Sequence, residues 1–278
     1  PKKFKDKLGF RQLIDQDDFY TEATEFEEQG ERWILSDVKK TLRFYLQALE
    51  IYEKGLRAPN STLKGTYNIL YNETRLFLQV YTEYTAANGY INLLQYVNTE
   101  DIPQLSSILL PLTEIARRVE EVYQMYPTVR TWDLECNLLI CYSTLLESAG
   151  VYSLSGEQVI ELSKKFTQLT ENSLKFQVSE LSKFDSTEIL DDATTEAPSE
   201  PSPAPEVDED QTEDMEQADQ ITSETILEVL TEGYKFVQLL LELLIEYRSG
   251  RPSDVRLDVL QTKYLEELTT NFSIQLDK

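Results

Sequence analysis

The chain has 278 residues, 50 acidic side chains against 26 basic ones, and a formal net charge of −24. It contains no histidine, which excludes the Ser-His-Asp triad, histidine metal ligands and imidazole proton transfer. An acidic chain lacks the basic face that releases counterions from phosphate, so we expect no direct nucleic-acid binding and no attraction to anionic membranes. Its charge suits a basic protein partner, and it is equally consistent with a chain kept soluble by its charge.

Apolar residues at helical spacing predict a series of helices in the first two thirds of the chain. The stretches 38–52, 67–84, 105–126 and 132–146 each carry apolar side chains at intervals of three and four. Pro111 lies inside the third stretch and predicts a kink or a late helix start there. Ser155 and Gln158 form a capping-box pattern that opens the next helix.

A change in composition interrupts this helical pattern. Between Asp185 and Asp219 the chain holds fourteen acidic residues and no Lys or Arg, together with four prolines. Such a segment buries too little apolar surface to offset the entropy lost on ordering, so we predict a disordered acidic insertion at 185–220.

Two further helices are predicted after the insertion. The first covers 226–244 and ends near Gly250, and Ser253 opens the second. The predicted organisation is therefore an N-terminal helical array at 1–184, the insertion at 185–220, and a C-terminal helical pair at 221–278 that packs on the array.

The fold class predicted from these patterns is all-α. No strand alternation flanked by hairpin turns occurs, and nine glycines in the whole chain leave little β-turn chemistry. Helices joined by short turns favour antiparallel helix pairs, and a series of such pairs is typical of a solenoid.

The segment 25–56 resembles a tetratricopeptide (TPR) repeat. The positions that carry the resemblance are Gly30, Trp33, Thr41, Tyr45 and Ala48. In that family a small residue and a bulky aromatic lie in the first helix, and a small-aromatic-alanine pattern lies in the second. The resemblance implies a TPR-like right-handed superhelix whose first helices line a groove for an extended or helical peptide. With its acidic tract, the chain is similar in plan to TPR chaperones of histones and of ribosomal proteins, which implies a basic client.

Two groups of acidic residues are candidate client-binding residues. The first group occupies helical positions that could line a groove and pair with arginines of a client: Glu28, Glu73, Asp133 and Glu135. The alternative for this group is a solvated face or a favourable interaction with the helix dipole. The second group belongs to the insertion and could cloak a Lys- and Arg-rich surface: Glu206, Asp208, Glu209, Asp210, Glu213 and Asp214. The alternative for this group is a loop that only keeps the chain soluble.

The sequence offers no pattern typical of an enzyme, a cofactor or a metal site. Neither G-x-x-x-x-G-K-[S/T] nor G-x-G-x-x-G occurs, and the acidic tract lacks the spacing of an EF-hand loop. Cys136 and Cys141 are five residues apart in an apolar run, so we expect two small core residues and no disulfide between them. No run of 18 apolar residues predicts a membrane span, and no apolar signal core is visible, so we expect a cytoplasmic or nuclear location.

These patterns together predict a non-catalytic binding protein. The first hypothesis is a dedicated chaperone or escort of a basic client, either a ribosomal protein or a histone. The second is a scaffold or adaptor subunit of a multiprotein complex, in which the acidic insertion has no binding role.

Overall fold

The computed structural model describes residues 13–86, 89, 93, 97–191, 221–250 and 255–278, of which 99 and 184–191 are described by their backbone alone. All regular structure in these ranges is helical and none of it is β-strand, which confirms the all-α prediction. The α-helices are α1 (Gln16–Glu31), α2 (Val38–Gly55), α3 (Leu63–Val80), α4 (Leu112–Met125), α5 (Trp132–Glu147), α6 (Gly156–Asp191), α7 (Ser223–Ser249) and α8 (Val259–Leu276). A π-helical turn follows α3 at Tyr81–Thr85.

The chain divides into two compact units, Pro1–Arg130 and Thr131–Lys278. The first unit contains α1 to α4 and the second contains α5 to α8. This division differs from the predicted one at 184/185, because α7 and α8 pack on α6, and α7 also packs on α5. In addition, α6 continues to Asp191, so the predicted start of the insertion falls inside a helix.

In the first unit, α1 and α2 pack closely where Gly30 meets Tyr45. A Cβ at residue 30 would lie 2.5 Å from a ring carbon of Tyr45, so only glycine allows this approach. The Thr41 hydroxyl donates a hydrogen bond to the Gly30 carbonyl at 3.1 Å, which ties the two helices together at the same point. Trp33, which the TPR resemblance assigns to the first helix, lies instead in the turn after α1, where the Lys40 ammonium sits 3.3 Å from its ring centroid.

The helix starts predicted at Pro111 and at Ser155 are both present in the structure. Pro111 is the N-cap of α4, so of the two outcomes predicted there, a kink or a late start, the structure has the late start. The predicted capping box is also present. The backbone N–H of Gln158 donates to Ser155 Oγ at 3.2 Å, and the backbone N–H of Ser155 donates to the side-chain oxygen Oε1 of Gln158 at 2.8 Å.

The start of α8 lies later in the chain than the sequence predicts. Ser253, from which this helix is predicted to open, lies outside the described residues, and α8 starts later, at Val259, with Asp258 as its N-cap. Asp258 and Gln261 exchange reciprocal hydrogen bonds of 2.8 and 2.9 Å, which satisfy N–H groups at this helix end.

The core of the second unit is organised around three phenylalanines. The rings of Phe166 on α6 and Phe236 on α7 stack with their centroids 3.8 Å apart. The Phe272 ring on α8 is perpendicular to the Phe166 ring, with their centroids 6.0 Å apart. All three side chains are at most 2% exposed, so they hold α6, α7 and α8 around one apolar centre.

Candidate protein-binding groove

A groove of about 520 Å³ lies between α7 and α8 in the second unit. Its apolar lining consists of Val237, Leu241, Leu244, Ile245 and Ile274. Its polar lining consists of Arg248, Glu266, Thr269, Thr270 and Ser273. The volume falls in the range of about 300–1,000 Å³ that is common for ligand sites. The lining combines five aliphatic side chains, four of them from α7, with five polar ones, four of them from α8.

The groove exists because α7 carries more apolar side chains than its packing inside the unit uses. Phe236 and Leu240 are fully buried, whereas Leu241 and Ile245 are 47% and 62% exposed. The two helices come close at Gly233, where a Cβ would lie 2.9 Å from a methyl carbon of Leu276.

The exposed apolar side chains of α7 follow a regular stripe. Leu227, Tyr234 and Leu241 are spaced by seven residues, and Ile245 follows one turn later. Each is at least 44% exposed. At a rise of about 1.5 Å per residue the stripe is about 27 Å long, and a spacing of seven is the pattern by which one helix packs along another.

Charged groups surround this apolar stripe. Arg248 bridges to α8, with Nη2 and Nε at 2.6 and 3.1 Å from the same oxygen of Glu266. The Tyr234 hydroxyl donates to Asp277 at 2.6 Å, just beyond the end of α8. Helix α7 contains five glutamates against Lys235 and Arg248, and α8 contains two glutamates against one lysine. An apolar groove therefore lies on a helix pair of net negative charge.

The predicted client-binding residues of the first unit have partners within the chain. Glu28 is exposed on α1 and lies 3.9 Å from Arg32. Glu73 on α3 is largely buried and lies 3.9 Å from Arg118 of α4. Burial raises the pKa of the Glu73 carboxyl, Arg118 opposes that increase, and Glu53 adds to it. The structure thus gives these two carboxylates different partners and does not bring them together.

Asp133 and Glu135 lie in the first turn of α5 and are half-buried. This position places both carboxylates where the helix dipole favours negative charge, as in the alternative considered above. Burial raises the pKa of the nearby Cys136 thiol to about 12, and Glu228, Glu232 and Asp133 contribute to that increase. Cys136 and Cys141 are both free thiols.

The second predicted group lies outside the described residues. It comprises Glu206, Asp208, Glu209, Asp210, Glu213 and Asp214. In the part of the chain that is described, no three Cys, Asp or Glu side chains are grouped so that they could hold a metal ion. No helix among the described segments is long and apolar enough to cross a bilayer.

Sequence reasoning missed a buried polar cluster in the first unit. Glu27 on α1 is only 2% exposed. Its Oε1 accepts a hydrogen bond of 2.5 Å from the Tyr52 hydroxyl of α2, and its Oε2 pairs with Arg75 of α3. Burial raises the pKa of Glu27, against the opposing effects of Arg75 and Tyr52. The sequence carries one sign of this cluster, because Glu27 lies on the same face of α1 as the small residues Ala23 and Gly30, and that face is buried.

Comparison with known proteins gives a family match and a similar yeast protein. The profile of a family described as the YNL193W-like protein middle domain matches residues 202–278, which include α7, α8 and the groove. The chain is also similar to the protein YNL193W of Saccharomyces cerevisiae, described as uncharacterized, with 41% identity over 299 aligned positions. That alignment covers 99% of this chain and 54% of the yeast protein, so the chain spans about half the length of this relative. No solved structure matches.

Proposed function

We propose that the protein is a non-catalytic binding protein that escorts a basic client, of the ribosomal-protein or histone type. The observation that carries this proposal is the apolar groove on the acidic helix pair α7–α8. Such a surface fits an amphipathic helix with one apolar face and lysines or arginines beside it. The apolar face would cover Leu241 and Ile245, and the cations would face the glutamates of the helix pair.

The charge of the rest of the chain supports the same partner. The sequence carries −24 in total, and fourteen of its acidic residues lie between Asp185 and Asp219. Complementary charge speeds encounter and disfavours acidic competitors such as RNA and DNA. The proposal therefore includes a screening role for the acidic tract, no direct nucleic-acid contact, no catalytic activity, and a location in the cytoplasm or nucleus.

The proposal also includes the TPR-like right-handed superhelix for the helix pairs. It is supported by the close approach of Gly30 and Tyr45 and by the hydrogen bond from Thr41 to Gly30, at three of the positions that carry the resemblance.

A designed peptide tests the groove. The probe is a labelled 18-residue helix with leucines at intervals of three and four and lysines elsewhere, and its matched control has glutamate at every lysine position. We expect the lysine peptide to bind the full chain more tightly, because the helix pair is acidic, and we expect its affinity to fall between about 0.1 and about 0.5 M salt. Replacing Leu241 and Ile245 together by serine should weaken binding at least about tenfold, since each buried aliphatic side chain contributes on the order of 1–2 kcal/mol. Fluorescence anisotropy measures both effects.

The matched control variant is Val178→Ser, which removes another exposed aliphatic side chain, 51% exposed, from α6 of the same unit. It should leave the affinity unchanged. Equal binding of the lysine and glutamate peptides, or equal binding by the Leu241/Ile245 variant and the parent, would contradict the proposal.

The apolar stripe favours a second candidate, a scaffold subunit of a stable complex. The surface of this stripe suits a permanent helix-helix interface, and it consists of Leu227, Tyr234, Leu241 and Ile245. Such an interface would be salt-resistant and would not select a basic partner, whereas the escort role requires both salt sensitivity and a basic partner.

A further inference from the structure

A second polar site lies at the end of α3 in the first unit. Gln79 of α3 donates one side-chain amide to Glu83 Oε1 and to the Tyr45 hydroxyl, both at 3.2 Å. Glu83 and Tyr84 belong to the π-helical turn Tyr81–Thr85. A π turn shifts the helix register by one residue, and such turns occur frequently at functional sites.

Three oxygens in this cluster lack a hydrogen-bond partner among the residues that the structure describes. Gln79 Oε1, Glu83 Oε2 and Tyr84 Oη are buried and accept or donate no hydrogen bond within the described part of the chain. The Tyr84 side chain is only 2% exposed. Thr41 lies beside it and lowers the pKa of the Tyr84 hydroxyl, but the single hydrogen of the Thr41 hydroxyl is directed at the Gly30 carbonyl, at 3.1 Å. Unpaired buried acceptors are uncommon in folded proteins and call for an explanation.

The cluster also holds negative charge that no cation in the described part of the chain balances. Burial raises the pKa of Glu83, the hydrogen bond from Gln79 lowers it, and the nearby carboxylate of Glu31 raises it again. Among the described residues, no lysine or arginine forms an ion pair with Glu83 or Glu31. Gln79 and Glu83 are half-buried, so one side of the cluster faces solvent.

We propose that this cluster binds the ammonium group of a lysine side chain of the client. An ammonium group offers three donors and no acceptor, which matches three unpaired oxygens, and its charge compensates the carboxylate. Water could satisfy the acceptors but not the charge. The planar guanidinium of arginine donates two parallel hydrogen bonds, which suits both oxygens of one carboxylate. Here the Gln79 side-chain amide already donates to one oxygen of Glu83, so the site suits lysine better than arginine. This inference rests on the proposed function, because it names the client group that the site takes.

Carboxyl and side-chain amide NMR on the full chain tests the inference with Nα-acetyl-lysine methylamide as the probe. Binding of a cation stabilises the ionised carboxylate, so the pKa of Glu83 should fall as the probe is added. The side-chain amide signals of Gln79 should shift at the same probe concentrations. The norleucine analogue, which has the same carbon chain without charge, should cause neither change. The arginine analogue should bind more weakly than the lysine one.

Two variants complete the test. Glu83→Gln keeps an acceptor for Gln79 and removes the charge, so the Gln79 response to the probe should be lost. Glu25→Gln removes an exposed carboxylate from α1 and should leave the response intact. The inference is overturned if Glu83 does not respond to the probe up to about 50 mM, well above the millimolar Kd expected for one charged group. It is also overturned if the Gln79 response persists in Glu83→Gln, or if the arginine analogue binds as tightly as the lysine one.

The two proposals can fail separately. The amphipathic peptide reports on the groove of the second unit, whereas the acetyl-lysine probe reports on Glu83 in the first. If the lysine peptide binds as expected but the pKa of Glu83 does not change with the acetyl-lysine probe, this inference alone is overturned. If the pKa of Glu83 falls with the probe but the chain binds the lysine and glutamate peptides equally, the proposed function is overturned.

Discussion

Replacing Arg75 by methionine is expected to destabilise the first unit by about 3–5 kcal/mol, because the change leaves a buried carboxylate without its cation. Glu27 is 2% exposed and has Arg75 as its positive partner, so it would stay buried with only the Tyr52 hydroxyl as a donor. The chain has two tryptophans, one in each unit, so a Trp132→Phe background leaves Trp33 as a fluorescent probe of the first unit. Urea unfolding of this background, with and without Arg75→Met, measures the difference.

The pH dependence of this loss has a definite sign. Without Arg75 the pKa of Glu27 rises further in the folded state and stays near about 4.3 in the unfolded state. The folded state then binds the proton more tightly, so the loss of stability is small below pH 4 and grows as the pH rises through the folded-state pKa. A loss that shrinks as the pH rises would contradict the account.

Two further variants separate the charge effect from packing. Adding Glu27→Gln to Arg75→Met removes the uncompensated charge and should recover most of the stability, since the side-chain carbonyl of the new glutamine can still accept from the Tyr52 hydroxyl. Arg57→Met removes an exposed arginine paired with Glu53 at 3.4 Å and should change the free energy of unfolding by less than about 0.5 kcal/mol.

Replacing Phe236 by alanine is expected to destabilise the second unit by about 3–5 kcal/mol, the usual cost of removing a fully buried phenylalanine. The change removes the ring that stacks on Phe166 at 3.8 Å and leaves a cavity where α6, α7 and α8 meet. In a Trp33→Phe background, the fluorescence of Trp132 follows the unfolding of this unit.

The matched control is Phe176→Ala, which removes the same ring from an exposed position of α6, where it is 55% exposed. It should cost less than about 1 kcal/mol. Phe272→Leu keeps an apolar side chain at the third position of the cluster and should cost less than Phe236→Ala. Equal losses from Phe176→Ala and Phe236→Ala would show that the three rings are not the centre of the core.

The sequence predicts elements well where local chemistry decides them. The apolar periodicity of 67–84 corresponds to α3 and the π turn after it, and Pro111 and the Ser155–Gln158 pair mark helix starts that the structure contains. The last helix is predicted from Ser253, but its start is set by Asp258 and Gln261, which form a reciprocal cap further along the chain. Several polar residues near a helix start compete, and spacing alone does not choose among them.

The groove and the buried polar groups depend on tertiary packing. Leu240 and Leu241 are adjacent and identical in type, yet Leu240 is fully buried in the core of the unit, whereas Leu241 lines the open groove and is 47% exposed. Glu27 and Glu28 are likewise adjacent, but Arg75 and Tyr52 lie where Glu27 points. The residues that complete each site are distant in sequence, so periodicity can mark a face as apolar or charged without revealing its partners.

The most direct test of the escort role is capture of the client by the full chain at two salt concentrations. The tagged protein and its Leu241/Ile245 double-serine variant are each incubated with cell extract at about 0.1 and about 0.5 M salt, and the bound proteins are quantified by mass spectrometry. The account predicts one near-stoichiometric partner rich in lysine and arginine, reduced by the higher salt and by the double variant. Several non-basic partners in fixed ratio, retained at the higher salt, would contradict the escort role and support a scaffold subunit instead.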